Sequence, residues 1–168
     1  ECFPVPHDAA DPVGFAIRDE ESKLGFVSDV GFVTNLIKDR LQGSHTLFLE
    51  ANYDTQLLDA DTKRPWSTKQ RISSRHGHLS NEQAAELVTA IAHEHLHQVV
   101  LGHLSEDCNC PATAAGFIRS ALAGMNLHNV DVWCADRKAP SPTRDVARMA
   151  IPPVPEPSSN SPAQMVLF

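Results

Sequence analysis

Four residues able to hold a metal ion stand where the chain changes direction. His7 lies in VPHDA, after an extended segment spaced by prolines, and Asp29 lies in VSDVG, at the end of an apolar run. His78 lies in GHLSN, just ahead of a helical pattern, and His103 lies in VLGHLS, at the end of a second apolar run. Side chains at the ends of neighbouring strands can converge on one point. Neutral imidazole and carboxylate are the ligands a zinc- or manganese-type ion prefers. Taken singly, each of these residues reads as structural; the conjunction is what makes a metal site worth expecting.

Two other patterns compete. His93-Glu94-His95-Leu96-His97 matches the H-E-x-x-H of zinc proteases, with His103 placed as a third ligand. Two ligands at i and i+4 need one continuous helical face. Here the helix is predicted to end near His95, and Val100 stands where the extended protease pattern needs Gly. The simpler reading is a solvated, His-rich helix C-terminus, where positive charge is favourable. Cys108-x-Cys110 has half the form of a zinc knuckle, but Cys2 and Cys134 are isolated in the sequence, so unligated thiols are expected.

The elements that must position these groups alternate in type. Strands are predicted at Gly14 to Arg18, Lys23 to Val27, His45 to Glu50, Gln98 to Gly102 and Val130 to Cys134. Helices are predicted at Val33 to Leu41, Asn81 to Ala92 and Pro111 to Leu122. Ser80 with Gln83 forms a capping-box signature, and Pro111 suits a first helical position. The stretch between Glu50 and Ser80 reads as a loop. The order is that of a layered α/β domain.

Composition bounds the rest. The chain has 168 residues and a net charge of −7, which argues against coating nucleic acid by charge alone. Residues 63–75 carry five basic residues, Lys63, Arg64, Lys69, Arg71 and Arg75, and no acid, so the remainder carries −12. A basic loop on an acidic protein is either a solvated face or a local hold on a phosphate backbone. No run reaches the ~18–20 apolar residues of a membrane span. The start shows no signal-peptide pattern, so the cytosol is the expected compartment. Glu1 in place of Met suggests a fragment or processed product. Seven of the 12 prolines fall in residues 140–168, so residues 1–138 are expected to fold and 139–168 to form a disordered tail.

The segments VPHDAADPVGF, VSDVG, LEANYD, RISSRHGHLSNEQAAEL and VVLGHLSEDCN resemble the second half of a metallo-β-lactamase-fold hydrolase. Within that fold they are similar to the YycJ/WalJ-like family of bacterial DNA exonucleases and, more distantly, to tRNase Z-type nucleases. The resemblance covers about residues 3–135 and implies a four-layer αββα sandwich with two divalent metal ions, zinc or manganese, on one edge. It implies that His7 binds one metal, Asp29 bridges both, His103 binds the other and His78 helps protonate the leaving oxygen. Asp8, Glu50, Asn52 and Asp54 are then expected to orient the ligands. Lys69, Arg71 and Arg75, just ahead of His78, are expected to steer the phosphate backbone. Tyr53 stands where the family often has His.

The family's His-x-His-x-Asp-His motif, which lies upstream of the VPHDA segment, is absent. The chain therefore resembles mainly the C-terminal half of such a domain. It is expected to need a missing N-terminal half as partner, to bind metal weakly alone and to be inactive alone. The implied activity is a phosphodiesterase, of 5′–3′ DNA exonuclease type in DNA repair. The alternatives are an RNA-processing or small-ester hydrolase of the same fold, a non-catalytic module, and the zinc protease. The last five residues, Gln164-Met165-Val166-Leu167-Phe168, look like the peptide by which bacterial replication and repair proteins dock on the β sliding clamp. Leu167 and Phe168 supply apolar anchors, and Gln164 and Met165 set the register.

Overall fold

The structure is a computed structural model and describes residues 1–146. Its frame is one six-stranded sheet whose spatial order follows the chain order. The strands are β1 (Cys2–Pro4), β2 (Val13–Arg18), β3 (Lys23–Val27), β4 (Thr46–Glu50), β5 (Gln98–Gly102) and β6 (Asp131–Cys134). The first three pair antiparallel and the rest join in parallel. Parallel neighbours need crossovers. These carry α1 (Asn35–Leu41), then α2 (Thr55–Ala60), α3 (Trp66–Ile72) and α4 (Asn81–Ile91), then α5 (Pro111–Gly124).

Alternation along the strands sorts the two sheet faces. Leu47 and Leu49 of β4 pack inward with Val27, Val99, Leu101 and Val132. Against them lie Ile37 and Leu41 of α1, Leu87 and Val88 of α4, and Ile118 and Leu122 of α5. The intervening residues point the other way. Phe26 and Phe48 stack there at 4.4 Å, and Val13, Phe15 and Ile17 are exposed. The layers are thus one sheet covered by helices on one face, which is half of the expected sandwich.

Two helices, α2 and α3, occupy the stretch expected to be a loop. Asp54 caps α2 by accepting from the Leu57 N–H at 3.0 Å. The α3 helix follows Pro65 and buries none of its residues, so it leaves no apolar stripe in the sequence. The stretch after β6 is tied back at Asp145 and Val146. Gln98 Nε2 donates to the Asp145 carbonyl at 2.7 Å, and Thr46 Oγ1 donates to that of Val146 at 2.6 Å. The clamp-like residues Gln164, Met165, Leu167 and Phe168 lie outside the described residues. Among the described residues, no helix is long and apolar enough to cross a membrane.

Candidate metal centre

The parallel strands β3, β4 and β5 end on the same edge, and each delivers one acidic or imidazole group there. Asp29 follows β3, Glu50 ends β4 and His103 follows β5. Asp29 and His103 both adopt left-handed backbone, with φ of 57° and 54°. Such conformations are costly for residues other than Gly and cluster at functional sites. Here each turns the chain sharply off its strand, so the side chain stays at the edge.

His7 and His78 arrive from the loops facing that edge. His7 Nδ1 bonds the Gly77 carbonyl at 2.8 Å, and the Asp8 N–H donates to the His76 carbonyl at 3.0 Å. The two loops therefore hold each other. Close approach depends on two glycines: a Cβ on Gly31 would meet Gly77 N at 2.4 Å, and one on Gly77 would meet the Arg71 oxygen at 2.2 Å.

The donors converge. Asp29, Glu50, His78 and His103 each present a ligand atom, and all these atoms lie within 4.8 Å of one another. Asp29 Oδ1 is central, 3.6 Å from His7 Nε2, 3.7 Å from His78 Nδ1 and 3.3 Å from His103 Nδ1. Glu50 is fully buried. Its Oε2 accepts from the Val30 N–H at 2.8 Å, and its Oε1 lies 2.6 Å from His78 Nδ1 and 3.1 Å from His103 Nδ1. Burial pushes the Glu50 carboxyl up, but hydrogen bonds from His103 and His78 outweigh it and hold it below its ordinary value. The hydrogen bond to Glu50 raises His103, with the charges of Glu50 and Asp29 adding to it against burial. Oxygen and imidazole donors at this spacing fit a divalent transition ion.

The remaining expected residues take distinct places. Asn52 Nδ2 donates to the His103 carbonyl at 2.8 Å and so fixes the left-handed turn. Asp8 lies 3.5 Å from His7 Nε2 and is paired with Arg71, whose hydrogen bond holds the Asp8 carboxyl below its usual value. Asp54 is spent on the α2 cap. Lys69 Nζ donates to the Asp59 carbonyl at 2.8 Å, and Arg75 lies over the Phe32 ring at 3.7 Å. Of the three basic residues expected at a nucleic-acid interface, Arg71 is the one directed at the cluster. Tyr53 is buried, and burial pushes its hydroxyl up to about 12.

Sequence reasoning gave Glu50 only a supporting role, yet it joins the donor set and clamps two histidines. Its signal was present: a lone acid ending the apolar run TLFLE. An open cleft of about 850 Å³ runs from His78 and His103 past Arg64, Ile72, Arg137 and Lys138. Arg64, Arg137 and Lys138 were not singled out by their spacing as cleft residues.

The protease pattern is overturned. The α4 helix ends at Ile91 with Ala92 as its C-cap, so His93 and His97 share no helical face. His93 Nε2 is turned instead to the Ser44 carbonyl at 3.1 Å.

Comparison with known proteins accords with this geometry. Residues 1–104 match the family described as beta-lactamase superfamily domain. The chain is 36% identical over 122 residues to exodeoxyribonuclease YycJ of Bacillus anthracis, covering 73% of this chain and 46% of that protein. It is 31% identical over 127 residues to exodeoxyribonuclease WalJ of Streptococcus pneumoniae, covering 76% and 47% respectively. The chain thus spans about half the length of these curated relatives. Among solved structures it is similar to the metallo-beta-lactamase fold protein YhfI of Bacillus subtilis, with a TM-score of 0.57 at 13% identity, covering 80% of this chain and 44% of that one.

Proposed function

Because the chain belongs to the beta-lactamase superfamily, with its fold present in part, we propose that it is the C-terminal, donor-bearing portion of a metal-dependent DNA exonuclease. The observation that carries this reading is the convergence of Asp29, Glu50, His78 and His103 on one strand edge, in a chain similar to two exodeoxyribonucleases.

Two divalent ions, zinc or manganese, would supply an attacking hydroxide and neutralise charge on the scissile phosphate. His7, Asp29 and His103 are the residues to hold them, with the Asp29 carboxylate between the two imidazoles. Glu50 accepts from the Nδ1–H of His78, so that His78 in its imidazolium form would carry a second proton on Nε2 to hand to the leaving oxygen. Asn52 keeps His103 in place from behind. Arg71, paired with Asp8 beside His7, would meet a phosphate, with Lys69 and Arg75 on the same basic segment. Half of the ligand set is expected from an N-terminal portion, so the chain alone should bind metal weakly and cleave nothing.

The test is a nuclease assay on the complete gene product, with DNA and RNA compared with and without Mn²⁺ or Zn²⁺. Metal-dependent shortening of DNA is expected. Exclusive action on RNA would move the reading to an RNA-processing enzyme of the same fold, and no phosphodiesterase activity would overturn it. A tail peptide of residues 158–168 is expected to bind the β sliding clamp, and Phe168→Ala is expected to abolish that binding.

A further inference from the structure

Four histidines that take no part in the metal centre meet at the opposite end of the sheet. His45 precedes β4, and His93, His95 and His97 fill the connection from α4 to β5. The rings of His45 and His97 stack at 5.9 Å and 20°, while His93 meets His45 edge-on at 6.4 Å and His95 at 6.0 Å.

The rings of His45 and His93 are bonded to backbone. His45 Nδ1 accepts from the Lys23 N–H at 3.1 Å. His93 Nδ1 accepts from the His95 N–H at 3.2 Å while its Nε2 donates to the Ser44 carbonyl at 3.1 Å. A ring nitrogen that accepts has no proton, so both rings must be neutral for these bonds to exist. Backbone bonds extend the junction across four strands. The His45 N–H donates to the Lys23 carbonyl at 2.9 Å, that of His97 to His45 at 2.8 Å, and that of Asp131 to His97 at 2.9 Å.

We propose that this cluster is an acid-sensitive latch joining β3, β4, β5 and β6, closed while its histidines are neutral and opened by their protonation. The charges facing it do little to shelter an imidazolium. Lys23 is itself cationic and turns its ammonium to the Gln42 carbonyl. Asp19 acts on His45 only as the weakest influence, Glu94 lies 3.5 Å from His95, and Asp131 is paired with Arg144. Burial first, then His97, His93 and His95, hold His45 below its ordinary value of 6.5. A histidine depressed on folding contributes stability that is fully present above its unfolded value and is lost as pH falls from there through its folded value. The latch is therefore closed above about 6.5 and loosens below it. The strands it fastens, β4 and β5, are those that carry Glu50 and His103 at their far ends, roughly 16 Å away for five residues of strand.

The test is amide hydrogen exchange, read as protection factors, on the chain at pH 7.5 and 5.5. Each histidine that the latch keeps neutral should cost its amides about tenfold in protection at pH 5.5. The affected amides are Lys23, His95 and His97, while that of Ile118 in α5 serves as control. His45→Asn keeps an acceptor near the Nδ1 position but does not titrate, so it should retain protection at pH 7.5 and lose about tenfold less at pH 5.5. An equal loss at Ile118, or a His45→Asn loss equal to that of the parent, would overturn the proposal. Ring resonances of the unmodified chain give a second reading. His45 should titrate below free histidine, and titration at or above that value sinks the latch even if the variant does not fold.

Discussion

A carboxylate buried among protein atoms loses several kcal/mol of hydration and must recover it from partners. Glu50 does so with Val30, His78 and His103, and the same bonds aim two imidazoles at Asp29. Glu50→Gln keeps an acceptor for Val30 but removes the charge that raises His103, and is expected to weaken divalent-metal affinity by about 10–100-fold, measured by competition with a chelating dye. Glu50→Ala also leaves the buried Val30 N–H without its acceptor, and should cost about 1–3 kcal/mol in urea denaturation. The two shifts set a window in the metal-free chain. Glu50, lowered from 4.5, contributes stability that is lost as pH falls through its folded value. His103, raised from 6.5, contributes stability that is lost as pH rises through its folded value. Metal needs neutral imidazole, so affinity should climb from pH 5.5 to 8, as titration calorimetry will show. If the complete gene product is the proposed nuclease, His78→Ala is expected to lower its kcat by about 10²–10⁴ with metal content intact. Loss of metal in that variant would make His78 a ligand instead of the proposed proton donor.

Placement of these residues belongs to the elements. His78 stands two residues before the N-cap of α4, where Ser80 and Gln83 close a capping box. Ser80→Ala should cost about 1 kcal/mol of stability in a urea melt. Gly77→Ala forces a contact with backbone oxygens of Arg71 and Ile72. It should destabilise the chain by about 1–3 kcal/mol and weaken metal binding with it, both read on the same preparation. The α4 helix was legible because its apolar residues repeat with helical spacing and its cap has a side-chain signature. The β3 and β5 strands were legible as apolar runs bounded by turn residues. The α2 and α3 helices were not, since six- and seven-residue helices with little buried surface leave no periodic stripe. The basic segment read as a loop for the same reason, either solvated or holding a phosphate backbone; its Arg71 and Arg75 are anchored by Asp8 and Phe32, residues remote in sequence.

For the molecule as a whole, one sheet face is covered and the other presents Val13, Phe15 and Ile17 at 40%, 41% and 55% exposure beside the Phe26–Phe48 stack. Contiguous apolar surface of this kind marks an interface. The isolated chain is expected to self-associate at micromolar concentration, and Phe15→Lys with Ile17→Lys to shift it toward monomer in sedimentation velocity. The sequence by itself determined the α/β order, the covered core and the identity of His7, Asp29, His78 and His103 as candidates, because hydrophobic periodicity and strand-end position are local properties. Only the tertiary structure decided that Glu50 joins them, that the H-E-x-x-H pattern has no helix to stand on, and that His45 meets His93 and His97. Those outcomes depend on which strand ends lie side by side and on where α4 stops, and parallel pairing across dozens of residues is not written in any single segment.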